Sequence, residues 1–196
     1  LTRVAMAQRE VGLAAGEPPT TKGYPPSVFS LLPHLMERAG PAARGSITAI
    51  YTVLVDGEDM DEPIADPARA PRDGHIVLRR SLATAGHYPP IDVLESVSRL
   101  MERVSSAPHR ESARAIRQLL AAHAEARDLI AIGAYVRGSD PLTDRAVDLM
   151  PRVNAFLRQQ AAEVTPFDLA VSALRSTDPE NPFAPEDADD PDAETP

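Results

Sequence analysis

Between Gly45 and Asp56-Gly57 the chain reads Ser-Ile-Thr-Ala-Ile-Tyr-Thr-Val-Leu-Val, ten residues dominated by β-branched and aromatic side chains. Such a run prefers extended backbone. Because its apolarity is continuous rather than alternating, it predicts a strand with both faces covered, as in a parallel sheet sandwiched between helices. A second short strand, His75 to Leu78, runs into a helix through Ala85, and helical patterns precede the first strand. The order helix, strand, strand, helix is that of an α/β layer.

The opening helix spans Leu1 to Leu13 and ends near Gly16, with Val4, Ala7, Val11 and Ala14 recurring every three or four residues. Five Pro and Gly residues between Glu17 and Pro26 enforce a loop. Ser27 is placed to cap a helix from Val28 to Arg38 whose Leu31, Leu32, Leu35 and Met36 share a face, closed by Gly40-Pro41. From His109 to Gly133 the pattern becomes purely helical, with Ala113, Ile116, Leu120, Ala124 and Ile130 on one side. Two more helices are expected over Pro151 to Ala162 and Phe167 to Leu174, with Asp140-Pro141 and Thr165-Pro166 as start signals.

From Ser176 onward eight acids, five prolines and no Lys or Arg leave almost nothing to bury, which predicts a disordered tail. The formal charge of −9 resides almost wholly there, and the remainder carries about −1, which gives no support for a nucleic-acid binder. No apolar run is long enough to cross a bilayer, and the chain has no cysteine, which removes disulfides and thiolate metal sites; a cytoplasmic setting is expected. Because the first residue is Leu1, the chain is expected to be a piece of a longer protein.

Several site chemistries fail on spacing. The sequence holds no Gly-x-x-x-x-Gly-Lys-Ser/Thr loop and no Gly-x-Ser-x-Gly elbow. His34, His75, His87, His109 and His123 lack metal-ligand spacing. Asp56, Glu58, Asp59, Asp61 and Glu62 do not follow the order of a Ca²⁺ loop and read as a solvated turn.

A series of short strings carries the main functional signal. In order, they are Leu1-Thr-Arg3; Gly16-Glu-Pro-Pro-Thr20 with Gly23-Tyr-Pro-Pro-Ser-Val-Phe29; Glu37-Arg-Ala-Gly40; Gly45-Ser-Ile-Thr48 with Tyr51-Thr-Val-Leu54; and Asp73-Gly-His-Ile-Val-Leu78. His87-Tyr-Pro89 with Ile91-Asp92, Val97-Ser-Arg99 and Ile132-Gly-Ala-Tyr-Val136 complete the set. Together they resemble the flagellum-specific and type III secretion ATPases, relatives of the rotary ATP synthase catalytic subunit, from Leu1 to about Leu174. Two features depart from the family pattern: Pro71-Arg72, where relatives have Ile-Leu in a short helix, and the acidic tail.

The resemblance implies the C-terminal half of a RecA-like P-loop domain over residues 1–101 and a helical domain over 102–175, and composition adds the tail over 176–196. It implies a homohexamer using ATP and Mg²⁺, lodged beneath the export gate at the inner membrane. Its partners would be gate and stalk proteins, export substrates and their chaperones. The phosphate loop, the Mg²⁺-site aspartate and the catalytic glutamate would precede Leu1, so this chain alone is expected not to hydrolyse ATP. By resemblance Arg3 is an active-site arginine and Arg99 the arginine finger that reaches a neighbouring subunit's nucleotide. Tyr88 stacks on adenine, and Phe167 forms the opposite wall. From the residues alone, Arg3 reads equally as a surface arginine, Arg99 as a salt-bridge partner of Glu95 or Glu102, and Tyr88 as a packed loop tyrosine. The rival readings are an injectisome ATPase and a non-catalytic module that binds ATPase subunits or chaperones.

Overall fold

The computed structural model describes residues 1–55, 63–65 and 73–180. The expectations for the acidic turn at 56–62, for Pro71-Arg72 and for the tail beyond residue 180 lie outside these residues. The chain divides into two compact units, Leu1–His75 and Ile76–Pro196.

The first unit is built on two helices, α1 (Thr2–Ala14) and α2 (Pro26–Met36). Val28, Leu32 and Met36 recur every four residues on α2 and are buried, as a core-facing stripe requires. On α1 the inward face is Thr2, Ala5 and Gly12; the expected stripe is overturned, since Val4 and Val11 are exposed. Small residues win because the chain comes very close there: a Cβ on Gly12 would sit 2.7 Å from Pro25 Cγ. Nor does Ser27 cap α2. Pro25 is the cap residue and Pro26 opens the helix, while the Ser27 N–H donates to Glu17 Oε2 at 3.1 Å. The intervening loop is closed by the Thr20 N–H bonding to the Tyr24 carbonyl (2.9 Å) and by the Arg9 guanidinium lying 5.5 Å from the Tyr24 ring centroid. Tyr24 and Ile64 complete this core, and Leu1, Phe29, Tyr51 and Val53 pack against it.

The Ser46–Val55 run does not form the expected long strand. Only β2 (Ser46–Ile47) is a strand, antiparallel to β1 (Gly40–Pro41) with Gly40 opposite Ile47. The remainder has no ladder among the described residues. It is held instead at isolated points: the Leu1 ammonium donates to the Thr52 carbonyl at 2.7 Å, and the Leu54 N–H donates to Thr2 Oγ1 at 2.9 Å. One face is covered, by Tyr51 and Val53, while Ile50 (92%) and Leu54 (60%) stand exposed, contrary to the expectation of two covered faces. β-branched residues favour extended backbone, but a strand exists only through its neighbours' hydrogen bonds.

In the second unit β3 (Gly74–Leu78) pairs with β4 (Ile91–Ser98) around the short helix α3 (Arg80–Thr84). Thus the described strands form two separate pairs rather than the continuous parallel sheet expected. α4 (Met101–Val104) leads to the helical bundle α5 (Ala107–Ala131), α6 (Pro141–Leu157) and α7 (Phe167–Thr177). Ser106 Oγ accepts the His109 N–H at the start of α5. Asp140 accepts the Leu142 and Thr143 N–H groups at the start of α6, and these bonds with the Thr143 hydroxyl hold its carboxyl below the usual range.

The bundle core joins Ile116, Leu119 and Ala122 of α5 to Ala146, Met150 and Val153 of α6 and Leu174 of α7. A fully buried aliphatic of this size is worth roughly 1.5–3 kcal/mol. The buried face of α5 is therefore rotated from the expected one: Ala122 and Ala126 point in and Ala124 does not. Pro151 was expected to begin a helix; it lies inside α6, which starts ten residues earlier at its Asp140 cap and stops at Leu157. Of the residues expected to open the tail, Ser176 and Thr177 continue α7, and Asp178 is only 2% exposed, ion-paired to Arg145 at 2.6 Å. An arginine brought in from α6 neutralises the buried acid, which composition alone cannot foresee. No helix among the described residues is long and apolar enough to cross a membrane.

Candidate functional site

In the first unit, Arg3 stands exposed on the first turn of α1, one residue after Thr2, whose hydroxyl is tied to Leu54. The tie fixes the helix start and thereby the base of the arginine side chain.

The other candidates belong to the second unit. Gly86, with φ of 70°, turns the chain out of α3 where a side chain would strain the backbone. His87 then buries its ring, 6% exposed, and donates its N–H to the Leu82 carbonyl at 2.9 Å. Burial, assisted by the Arg158 guanidinium, holds the imidazole below its ordinary pKa. Tyr88 follows with its ring 55% exposed, and Pro89 and Pro90 restrict the turn beyond it. The Tyr88 carbonyl accepts the Gln159 N–H at 2.8 Å, and the Pro90 carbonyl accepts the Arg79 N–H at 2.9 Å. A flat ring on a turn pinned at several points can stack on a planar ligand with little further loss of freedom.

Arg99 lies just past the end of β4, exposed. The strand that carries it is braced from both sides. Arg79 pairs with Glu95 and, at 3.6 Å, with Asp92. Arg117 of α5 donates to the Ser96 carbonyl at 3.1 Å, and Ser96 Oγ accepts the Val77 N–H from β3 at 3.0 Å. Near Arg99 in sequence, Glu95 pairs with Arg79, and Glu102 pairs with Arg110 at 3.1 Å.

Phe167, the first residue of α7, is 72% exposed, with its ring edge-on to His109 at 6.1 Å between centroids. It lines a shallow groove of about 350 Å³ with Val104, Ser105, His109, Val171 and Arg175. Neither Tyr88 nor Arg99 is among the residues that line that groove.

Arg79, Ser96, Arg117 and Gln159 escape a reading of the sequence because each acts across thirteen or more residues with no local spacing to reveal it. Among the described residues no group of three Asp, Glu or His side chains converges to hold a metal ion, so these residues do not fit a Mg²⁺ site.

Comparison with known proteins places this geometry. Residues 1–98 match the ATP synthase alpha/beta family, nucleotide-binding domain, and residues 105–176 match the T3SS EscN ATPase C-terminal domain. The chain is 53% identical to the flagellum-specific ATP synthase of Bacillus subtilis, over 90% of this chain and 40% of that protein. It is 56% identical to the type 3 secretion system ATPase of Sinorhizobium fredii, over 87% of this chain and 38% of that protein. The assembled ATPase EscN of the enteropathogenic E. coli type III secretion system superposes with a TM-score of 0.86 at 44% identity, over 90% of this chain and 43% of that one. The same ATPase in complex with its central stalk EscO gives 0.81 over 90% and 42%. The chain thus spans about two fifths of the length of the relatives it matches.

Proposed function

Because the chain belongs to the ATP synthase alpha/beta family, in the branch of the flagellum-specific and type III secretion ATPases, we propose that it is the C-terminal part of a flagellar protein-export ATPase. In this reading residues 1–101 complete a nucleotide-binding domain and 102–175 form a helical domain. The parent protein works as a homohexamer at the cytoplasmic face of the inner membrane. It couples ATP hydrolysis to the unfolding and delivery of export substrates and the release of their chaperones. The helical domain faces the export gate and the chaperone–substrate cargo, and a stalk protein is a further partner, in keeping with the complex of EscN with its central stalk EscO.

The observation that carries this reading is the setting of Arg99. An exposed arginine just past the end of a strand braced by Arg79 and Arg117 is suited to another subunit's triphosphate. There it would stabilise the charge that spreads over the transferred phosphoryl group. Tyr88 supplies the stacking face for adenine and Arg3 steers phosphate or carboxylate oxygens. These 196 residues hold no Gly-x-x-x-x-Gly-Lys-Ser/Thr loop to cradle phosphates, so in this reading they do not turn over ATP by themselves.

The test is Arg99→Ala in the full-length protein. ATPase activity falls by about 10³-fold or more while nucleotide binding is retained, as measured by phosphate release and by titration with a fluorescent ADP analogue. Wild-type turnover would refute the finger role. A second reading is an injectisome ATPase, since the 56% identity to the Sinorhizobium fredii secretion ATPase equals the 56% to the flagellum-specific ATP synthase of Pseudomonas aeruginosa. Complementation separates the two, one restoring motility and the other effector secretion.

A further inference from the structure

The turn that presents Tyr88 is held by a segment seventy residues away. After α6 ends at Leu157 the chain leaves in extended conformation, with φ −99° and ψ 138° at Arg158. The following residues fasten to one another: Gln159 Nε2 donates to Thr165 Oγ1 at 3.1 Å, and the Gln160 N–H donates to Glu163 Oε2 at 3.1 Å. The Glu163 N–H returns a bond to the Gln160 carbonyl at 3.0 Å. The segment therefore keeps its own shape, and from that shape the Gln159 N–H reaches the Tyr88 carbonyl at 2.8 Å. On the same turn the adjacent His87 ring is buried, so the turn is seated on one side and tied on the other.

A ring whose carbonyl is tied cannot be displaced without breaking the bond or dragging the segment with it. That segment runs from the end of α6 to the start of α7, both of which pack in the bundle core. We propose that Arg158–Thr165 is a positioning strap for Tyr88, so that a shift of α6 against α7 alters nucleotide affinity through the Gln159–Tyr88 bond. This rests on the reading of Tyr88 as the adenine-stacking residue. Gln159 touches no nucleotide in this arrangement; it acts through Tyr88.

The test exploits the difference between a backbone donor and a side chain. In the full-length protein Gln159→Pro deletes the N–H, and the extended Arg158 is already in the region that a following proline demands. Gln159→Ala keeps the N–H. Gln159→Pro weakens ADP binding and raises KM for ATP about three- to tenfold, the effect of one hydrogen bond, with kcat unchanged. Gln159→Ala stays within about twofold. In a Tyr88→Ala background, Gln159→Pro adds nothing further.

If Tyr88→Ala weakens binding but Gln159→Pro does not, or if both Gln159 variants weaken it equally, the strap is overturned and the role of Tyr88 stands. If Tyr88→Ala leaves ADP binding unchanged, the role of Tyr88 falls and the strap with it. Hydrogen exchange of the unmutated protein gives an independent check should the proline variant not fold. Linkage is reciprocal, so saturating ADP slows exchange at the Gln159 amide in the wild type and not in Tyr88→Ala; unchanged exchange in the wild type overturns the strap.

Discussion

Asp178 offers the sharpest test of how the second unit is held together. Its carboxylate is 2% exposed and meets Arg145 at 2.6 Å, while Arg145 also reaches Glu180 Oε2 at 3.0 Å. Asp178→Ala removes a charge-assisted hydrogen bond, worth about 1.5–3 kcal/mol. Breaking a fully buried pair costs about 3–5 kcal/mol. Here the loss lies nearer the lower figure, because the Arg145 side chain is 34% exposed and keeps Glu180 as a partner. A destabilisation of about 2 kcal/mol follows, which lowers the Tm of a unit of roughly a hundred residues by about 10 °C. Thermal and urea unfolding followed by circular dichroism measure it, with the urea midpoint falling and the slope unchanged. Glu180→Ala, at an exposed carboxylate, serves as the control and changes little. A Tm for Asp178→Ala that matches the wild type would show that the pair is not formed, and the end of α7 would have to be placed elsewhere.

Two further predictions concern other parts of the fold. Since His87 is held below the ordinary histidine pKa of 6.5 by burial and by Arg158, the unfolded state takes up its proton first as the pH falls. Stability of the second unit is therefore complete above 6.5 and declines below it; melts at pH 7.5 and 5.5 show this loss, and His87→Gln flattens it. In the first unit Gly12→Ala puts a methyl group 2.7 Å from Pro25 Cγ and 3.0 Å from Ser27 Oγ. It costs about 1–3 kcal/mol despite alanine's better helix propensity, and a rise in the urea midpoint would contradict the close packing of α1 on the loop.

What could be read from the sequence was what short stretches decide by themselves. Gly16, Gly86 and Gly133 end their helices because each adopts positive φ, and the Asp140-Pro141 start signal became the cap of α6. The resemblance strings were legible for the same reason, each being local, and the family they pointed to is the one the chain belongs to. Illegible were the features decided by partners far along the chain. Ser46–Val55 has the composition of a buried strand but receives a ladder only at Ser46–Ile47. The Ile91–Ser98 strand, with polar Asp92, Glu95, Ser96 and Ser98, carries no strand signature and forms through β3, Arg79 and Arg117. Pro151 looked like a helix start because proline favours first turns, yet the packing of Met150 and Val153 on either side of it keeps α6 intact. At the site, the side-chain types were readable while their supports were not. The groove that Phe167 lines with His109, Val171 and Arg175 is likewise assembled from separate elements and has no local spacing to reveal it.

The length of α5 gives the Arg117 contact mechanical meaning. From Arg117 to the end of the helix at Ala131 the rod extends about 21 Å at 1.5 Å per residue. If the Arg117 contact served as a fulcrum, a tilt of about 5° would sweep the far tip through nearly 2 Å, by simple trigonometry on that rise, while displacing the Ser96 carbonyl beside the fulcrum far less. The Ser96 carbonyl, and with it the end of the strand that precedes Arg99, thus sits where a tilt of the rod would move it least.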